Sequence, residues 1–204
     1  MGPMLAAILT TAIGDGSAAL RGLLARMVRW RIPARWYLAA LVPAAAALLT
    51  LSAMAAAGYA WPSWSALREM AGLPPLGWFG VLALVVVING YGEEVGWRGF
   101  VWSRLRESHS LGGAALILAL PWALWHTPTF WLDTGMADLD LIVIPGWLTG
   151  LAAGSVVLGW LYERSESSLL VVALFHAVLN MASATTATEG TPAAVVPPSS
   201  SSGP

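Results

Sequence analysis

Long apolar runs separated by short polar or proline-rich stretches dominate the chain. Residues 36–60 (WYLAALVPAAAALLTLSAMAAAGYA) are apolar throughout and long enough to cross a bilayer. Residues 76–106 form a second candidate, apolar as far as Ile88 and then abruptly polar in NGYGEEVGWRGF. Further spans are predicted over 111–132, kinked at Pro121, and over 141–162 and 168–187. Nearer the N-terminus, residues 3–13 (PMLAAILTTAI) are apolar but too short to cross alone unless the helix continues to about Leu20. Asp15 and Gly16 make that continuation imperfect. Residues 18–35 then mix Arg21, Arg26, Arg29, Arg31 and Arg35 with Leu, Met and Trp. This is either a basic amphipathic segment lying on the membrane surface or a basic inner loop.

Residues 61–75, with Trp61, Pro62, Trp64, Pro74 and Pro75, read as an interfacial loop with a short helical piece. The expected fold is all-α: a polytopic transmembrane bundle of five to six membrane helices plus the N-terminal basic amphipathic segment. One membrane-embedded domain is expected over 1–187, with its motif core at 76–182. A Pro/Ser-rich tail over 188–204 is predicted to be disordered.

Composition supports the class. Hydrophobic residues make up 57% of the 204 positions, charged residues only 10%, and mean hydropathy is +0.70. A soluble domain carries about a quarter charged residues, because its surface must face water. The net charge of -1 offers no basic surface for nucleic acid. The absence of Cys excludes disulfides, thiolate nucleophiles and thiolate metal sites. All ten basic residues are Arg, which fits a GC-rich genome, and a multi-pass protein of a bacterial cell membrane is the expected setting. No basic residue precedes Arg21, so no cleavable signal peptide is expected.

Arg placement predicts orientation. If 21–35 is cytoplasmic, alternation of the spans puts Arg104, Arg106 and Arg164 on the same side, and only Arg68 opposite, together with Asp133, Asp138 and Asp140.

Five ionisable residues interrupt the apolar segments: Glu93, Glu94, Arg98, His126 and His176. Each costs free energy in a bilayer and needs a partner or a task. At a helical rise of about 1.5 Å per residue, Glu93 lies roughly 20 Å from the basic end at Arg106. By the same rise His126 lies about 22 Å beyond Leu111, and His176 and Asn180 lie about 14 and 20 Å beyond Ser167. Three helices therefore deliver polar groups to one level, which points to a shared cavity. His176 and Asn180 are four residues apart and share a face. Glu94 and Arg98 have the same spacing and can pair, leaving Glu93 as the carboxylate free to take a proton from water. Gly92 and Gly96 form GxxxG, a close-packing face between helices to which no chemistry is assigned. Taken singly, a Glu–Arg pair or an intramembrane His is as readily a packing feature.

Together these residues resemble the CAAX-protease and bacteriocin-processing family of intramembrane proteases. Its EExxxR motif is found as Glu93-Glu94-Val95-Gly96-Trp97-Arg98, its aromatic residue four before a His as Trp122 and His126, and its HxxxN motif as His176 and Asn180. The resemblance covers roughly residues 76–182, and more loosely the basic 18–40 region. It implies an intramembrane endopeptidase in which Glu93, assisted by His126, activates a water, while His176 and Asn180 bind the oxyanion and Glu94 and Arg98 support the helix. The implied substrate is a membrane-associated peptide or protein, met within the lipid bilayer. Two departures stand out. Trp122 occupies a position where the family usually has Phe, and the larger ring is expected to narrow the cavity without changing the chemistry. The chain also opens at GPMLAA, where related proteins commonly carry a further hydrophobic helix, so a truncated or short member is expected.

No cofactor is expected. A divalent metal such as zinc is the alternative, but HExxH is absent and there is no Glu-x-x-His pair. Two other classes compete: a small transporter or proton pathway, and a non-catalytic membrane scaffold or bacteriocin-immunity protein. No internal repeat favours the transporter.

Overall fold

The computed structural model describes residues 1–63, 76–131, 142 and 144–184. The short helical piece expected within 61–75, Pro74 and Pro75, the acidic loop with Asp133, Asp138 and Asp140, and the 188–204 tail lie outside the described residues. Among the described residues the protein is all-helical, with seven helices. They are α1 (Gly2–Met27), α2 (Arg35–Ala40), α3 (Val42–Ala56), α4 (Gly77–Leu105), α5 (Leu111–Trp125), α6 (Ile144–Arg164) and α7 (Leu169–Ala184). Three of them, α1, α4 and α6, are long and apolar enough to cross a membrane, and α3, α5 and α7 are shorter apolar helices. The architecture is that of a multi-pass membrane protein.

Polarity is distributed as a bilayer demands. Ile13, Leu49, Phe79, Leu116, Leu120 and Leu124 are exposed on the outside, whereas Glu93, Glu94, Arg98 and His176 are buried inside. Lipid accepts the first group without cost and would penalise the second heavily.

The N-terminal region settles differently from a straight span. Its first leg, Gly2–Thr10, runs into a π turn at Thr11–Asp15, and the chain then bends at Gly16, whose φ of 82° and ψ of 178° only glycine adopts readily. A β-carbon on Gly92 would meet Met1 at 2.9 Å and one on Gly96 would meet Pro3 at 2.5 Å, while Asp15 pairs with Arg104. The first leg thus climbs beside α4 from Gly92 to Arg104. Leu23 is then back against Gly99, and the Met27 carbonyl accepts from the Tyr91 hydroxyl at 2.7 Å, so the second leg, Gly16–Met27, descends again. The GxxxG stripe of α4 is the seat of this bent helix, as its spacing suggests.

Expected and observed elements otherwise differ mainly at their ends. The 36–60 span is interrupted at Leu41, just before Pro43, and its helix stops at Ala56. The 111–132 span ends at Trp125: α5 passes through Pro121, then gives way to a 3₁₀ turn at Thr127–Phe130. Ser110 caps α5 by accepting from the Gly113 amide at 3.2 Å, which fixes where the helix starts and hence the height of His126.

Arginines gather at one end of the bundle. Arg26 donates to the Tyr162 hydroxyl at 2.7 Å and to Ser103, Arg106 pairs with Glu163 at 2.6 Å, and Arg104 pairs with Asp15. Arg29 donates to the Glu166 carbonyl at 2.6 Å, and Ser168 donates back to the Arg29 carbonyl at 2.7 Å. That exchange braces the tight α6–α7 turn, where Glu166 and Ser167 hold positive φ angles of 57° and 60°. The turn sets the height of α7, and therefore of His176.

Candidate active site

Glycines in α4 let its neighbours approach closely enough for short polar side chains to meet. A β-carbon on Gly90 would strike the Ala173 carbonyl oxygen at 2.6 Å, so α7 lies directly on α4 at this level. From Val86 to Trp102 the α4 backbone is wound as π-helix except at Gly92–Glu94. Such wide turns are uncommon and are concentrated at functional sites.

Two adjacent carboxylates point to different partners. Glu94 is fully buried, and its Oε1 accepts from Arg98 Nη1 at 2.9 Å and from His176 Nδ1 at 2.7 Å. The i, i+4 pair expected from the sequence is therefore present, and a bond to α7 that the spacing did not disclose is added to it. Because an ionised carboxylate only accepts, His176 Nδ1 carries a proton and Nε2 is the atom left for other work.

Glu93, also buried, makes no ion pair among the described residues. Its Oε2 accepts from Trp122 Nε1 at 2.8 Å and from Trp97 Nε1 at 3.4 Å, leaving Oε1 without either bond.

Trp122 is the hub. Its ring centroid is 6.1 Å from that of His126 and 5.8 Å from that of His176, and the Arg98 guanidinium carbon lies 4.6 Å from it. His126, half-buried at the end of α5, donates from Nδ1 to the Trp122 carbonyl at 2.8 Å. A carbonyl cannot donate, so the neutral imidazole presents an unprotonated Nε2. On its other side it meets the Trp147 ring of α6 at 5.9 Å. Asn180 is half-buried one turn beyond His176, and among the described residues its amide has no hydrogen-bond partner. The structure thus gathers Glu93, Glu94, Arg98, His126 and His176 around one indole, with Asn180 adjacent along α7.

Sequence reasoning missed the two indole donors on Glu93. Trp97 stands four residues after Glu93, the same spacing as Glu94 and Arg98, and could have been found by that rule. Trp122 enters the sequence reading as the motif aromatic with a large ring; in the structure its N–H also donates to Glu93, a bond that ring size alone does not disclose.

The model of the Rce1-like type II CAAX prenyl endopeptidases matches residues 74–182, more than half of the chain. The chain belongs to that family. Over 93 residues it is 22% identical to the CAAX prenyl protease 2 of Methanococcus maripaludis, an alignment covering 44% of this chain and 34% of that protein. The matched part spans about a third of that curated relative. All six site residues lie within the matched 74–182 segment.

Among the described residues, no three His, Cys, Asp or Glu side chains are grouped to hold a metal ion. The Nδ1 atoms of both imidazoles are committed to other partners, which leaves Nε2 of each open, and the Trp122 ring has contacts to both. A zinc site needs its ligands converging at about 2.0–2.2 Å on one point.

Proposed function

We propose that the chain is an intramembrane endopeptidase that hydrolyses a peptide bond of a membrane-associated substrate with a carboxylate-activated water and no metal. The observation that carries this reading is Glu93: among the described residues, a buried carboxylate without an ion pair, one oxygen held by indole donors and the other outside those bonds. In a water-poor cavity such a carboxylate is a general base, and the open Nε2 of His126 can share the same water. The water's oxygen attacks the scissile carbonyl as its proton passes to Glu93. The carbonyl oxygen becomes an oxyanion, and the proton is returned to the leaving amine as the C–N bond breaks.

His176 and Asn180 are the proposed oxyanion donors. His176 can donate from Nε2 only when doubly protonated, and Glu94 at 2.7 Å supplies the counter-charge for that form. The amide of Asn180 is the second donor. Arg98 balances Glu94 and holds it between two helices. In membrane terms, the proposed arrangement is five to six crossings with the arginine-rich end cytoplasmic.

The test is cleavage of a fluorogenic farnesylated CAAX peptide by the full chain in proteoliposomes, beside its unprenylated counterpart. Glu93→Gln is expected to lower kcat by on the order of 10³-fold or more with normal insertion. Wild-type turnover by Glu93→Gln would overturn the reading. So would stoichiometric zinc whose removal abolishes cleavage and whose return restores it.

A further inference from the structure

We infer that Trp122 is a positioning residue that orients the reacting carboxylate, its indole N–H holding Glu93 Oε2 so that Oε1 alone faces the attacking water. This rests on the proposed role of Glu93 and deepens it. Three observations support it. The Trp122 Nε1 to Glu93 Oε2 distance, 2.8 Å, is that of a strong charge-assisted hydrogen bond. Trp122 is 4% exposed, and its ring is packed by Arg98, His126 and His176, so the donor has little freedom to swing away. Trp97 Nε1, at 3.4 Å, approaches the same oxygen and not the other, so both indoles select one atom of a symmetric group.

A carboxylate on a flexible side chain otherwise rotates between equivalent oxygens, and each rotation misaligns the proton acceptor. A misplacement of about 1 Å can cost on the order of 10²-fold in rate. Phenylalanine at 122 would preserve a ring against the two histidines and Arg98, but it has no donor. The consequence is specific: this chain places Glu93 by a hydrogen bond that a ring of carbon alone cannot make.

The experiment has two independent arms. In the first, the Trp122 indole ¹⁵N–¹H resonance is assigned in micelles by its disappearance from Trp122→Phe and followed in Glu93→Ala. An upfield move on loss of the carboxylate supports the bond, and an unchanged resonance overturns it whether or not the protein is active. In the second, Trp122→Phe is compared with wild type on the farnesylated peptide. Expected is a kcat lower by roughly 10- to 100-fold with KM within about twofold, and a smaller loss for Trp97→Phe. Unchanged kcat in Trp122→Phe beside an inactive Glu93→Gln would remove the positioning role alone. An active Glu93→Gln would remove the base assignment itself. A rise in KM with kcat unchanged would assign Trp122 to substrate binding and likewise overturn the proposal.

Discussion

Two regions of this protein use the same chemistry in opposite surroundings. At the arginine-rich end, Arg106 pairs with Glu163 with both side chains about one-third exposed, at 31% and 36%. In the interior, Arg98 pairs with Glu94 with both at 0%. The end pairs can exchange partners with water and ions, so each is worth little. The interior pair has no such alternative. Among the described residues, Glu94 Oε2 and Arg98 Nε and Nη2 are buried without protein partners, so its remaining polar atoms are already under-satisfied. Removing one member strands the other in an apolar interior. Identical residue types therefore carry different weight, and dehydration sets the difference.

This contrast can be broken by substitution. The largest expected effect is Arg98→Ala, which takes the guanidinium from beside two buried carboxylates and leaves His176 alone to balance Glu94; a loss of about 3–5 kcal/mol is expected. Thermal unfolding in detergent and abundance in the membrane both report it. Normal accumulation with only turnover lost would show that the pair is not structural.

Glu94→Gln comes next. It keeps the shape but removes the charge shared by Arg98 and His176, and charge-assisted bonds of this kind contribute about 1.5–3 kcal/mol. Denaturation should detect that loss, and a double-mutant cycle with Arg98→Ala should show strong non-additivity because the two share one oxygen. Additive losses would mean the bonds act independently.

Smallest is Arg106→Ala, expected to cost no more than about 1 kcal/mol and to become neutral in high salt. A larger, salt-insensitive loss would mean that the end pair is as shielded as the interior one, and the contrast would fail.

Apolar periodicity, the scarcity of charge and the positions of arginine determined much from the sequence. In a bilayer every backbone polar group must be satisfied within the chain, so long apolar runs can only be helices. The i, i+4 spacing of Glu94 with Arg98 is equally local, and so is GxxxG as a packing face. Matched depth on three helices was legible from an ideal helical rise, from which the π turns of α4 depart, and the structure does bring α4, α5 and α7 to one indole. What lay beyond the sequence was rotation and bending.

Whether Trp122 turns its N–H to Glu93, and whether His176 finds Glu94, depends on how α5 and α7 roll against α4. That roll is set by close contacts such as Gly90 on Ala173 and by the Arg29-braced turn between α6 and α7. The sharp bend at Gly16 was likewise only hinted at, since glycine permits that backbone but does not demand it. Local spacing determines which groups can share a helix face. Only the packed helices decide which oxygen of Glu93 receives a hydrogen bond, because that choice is made across gaps of about 3 Å between segments far apart in the chain.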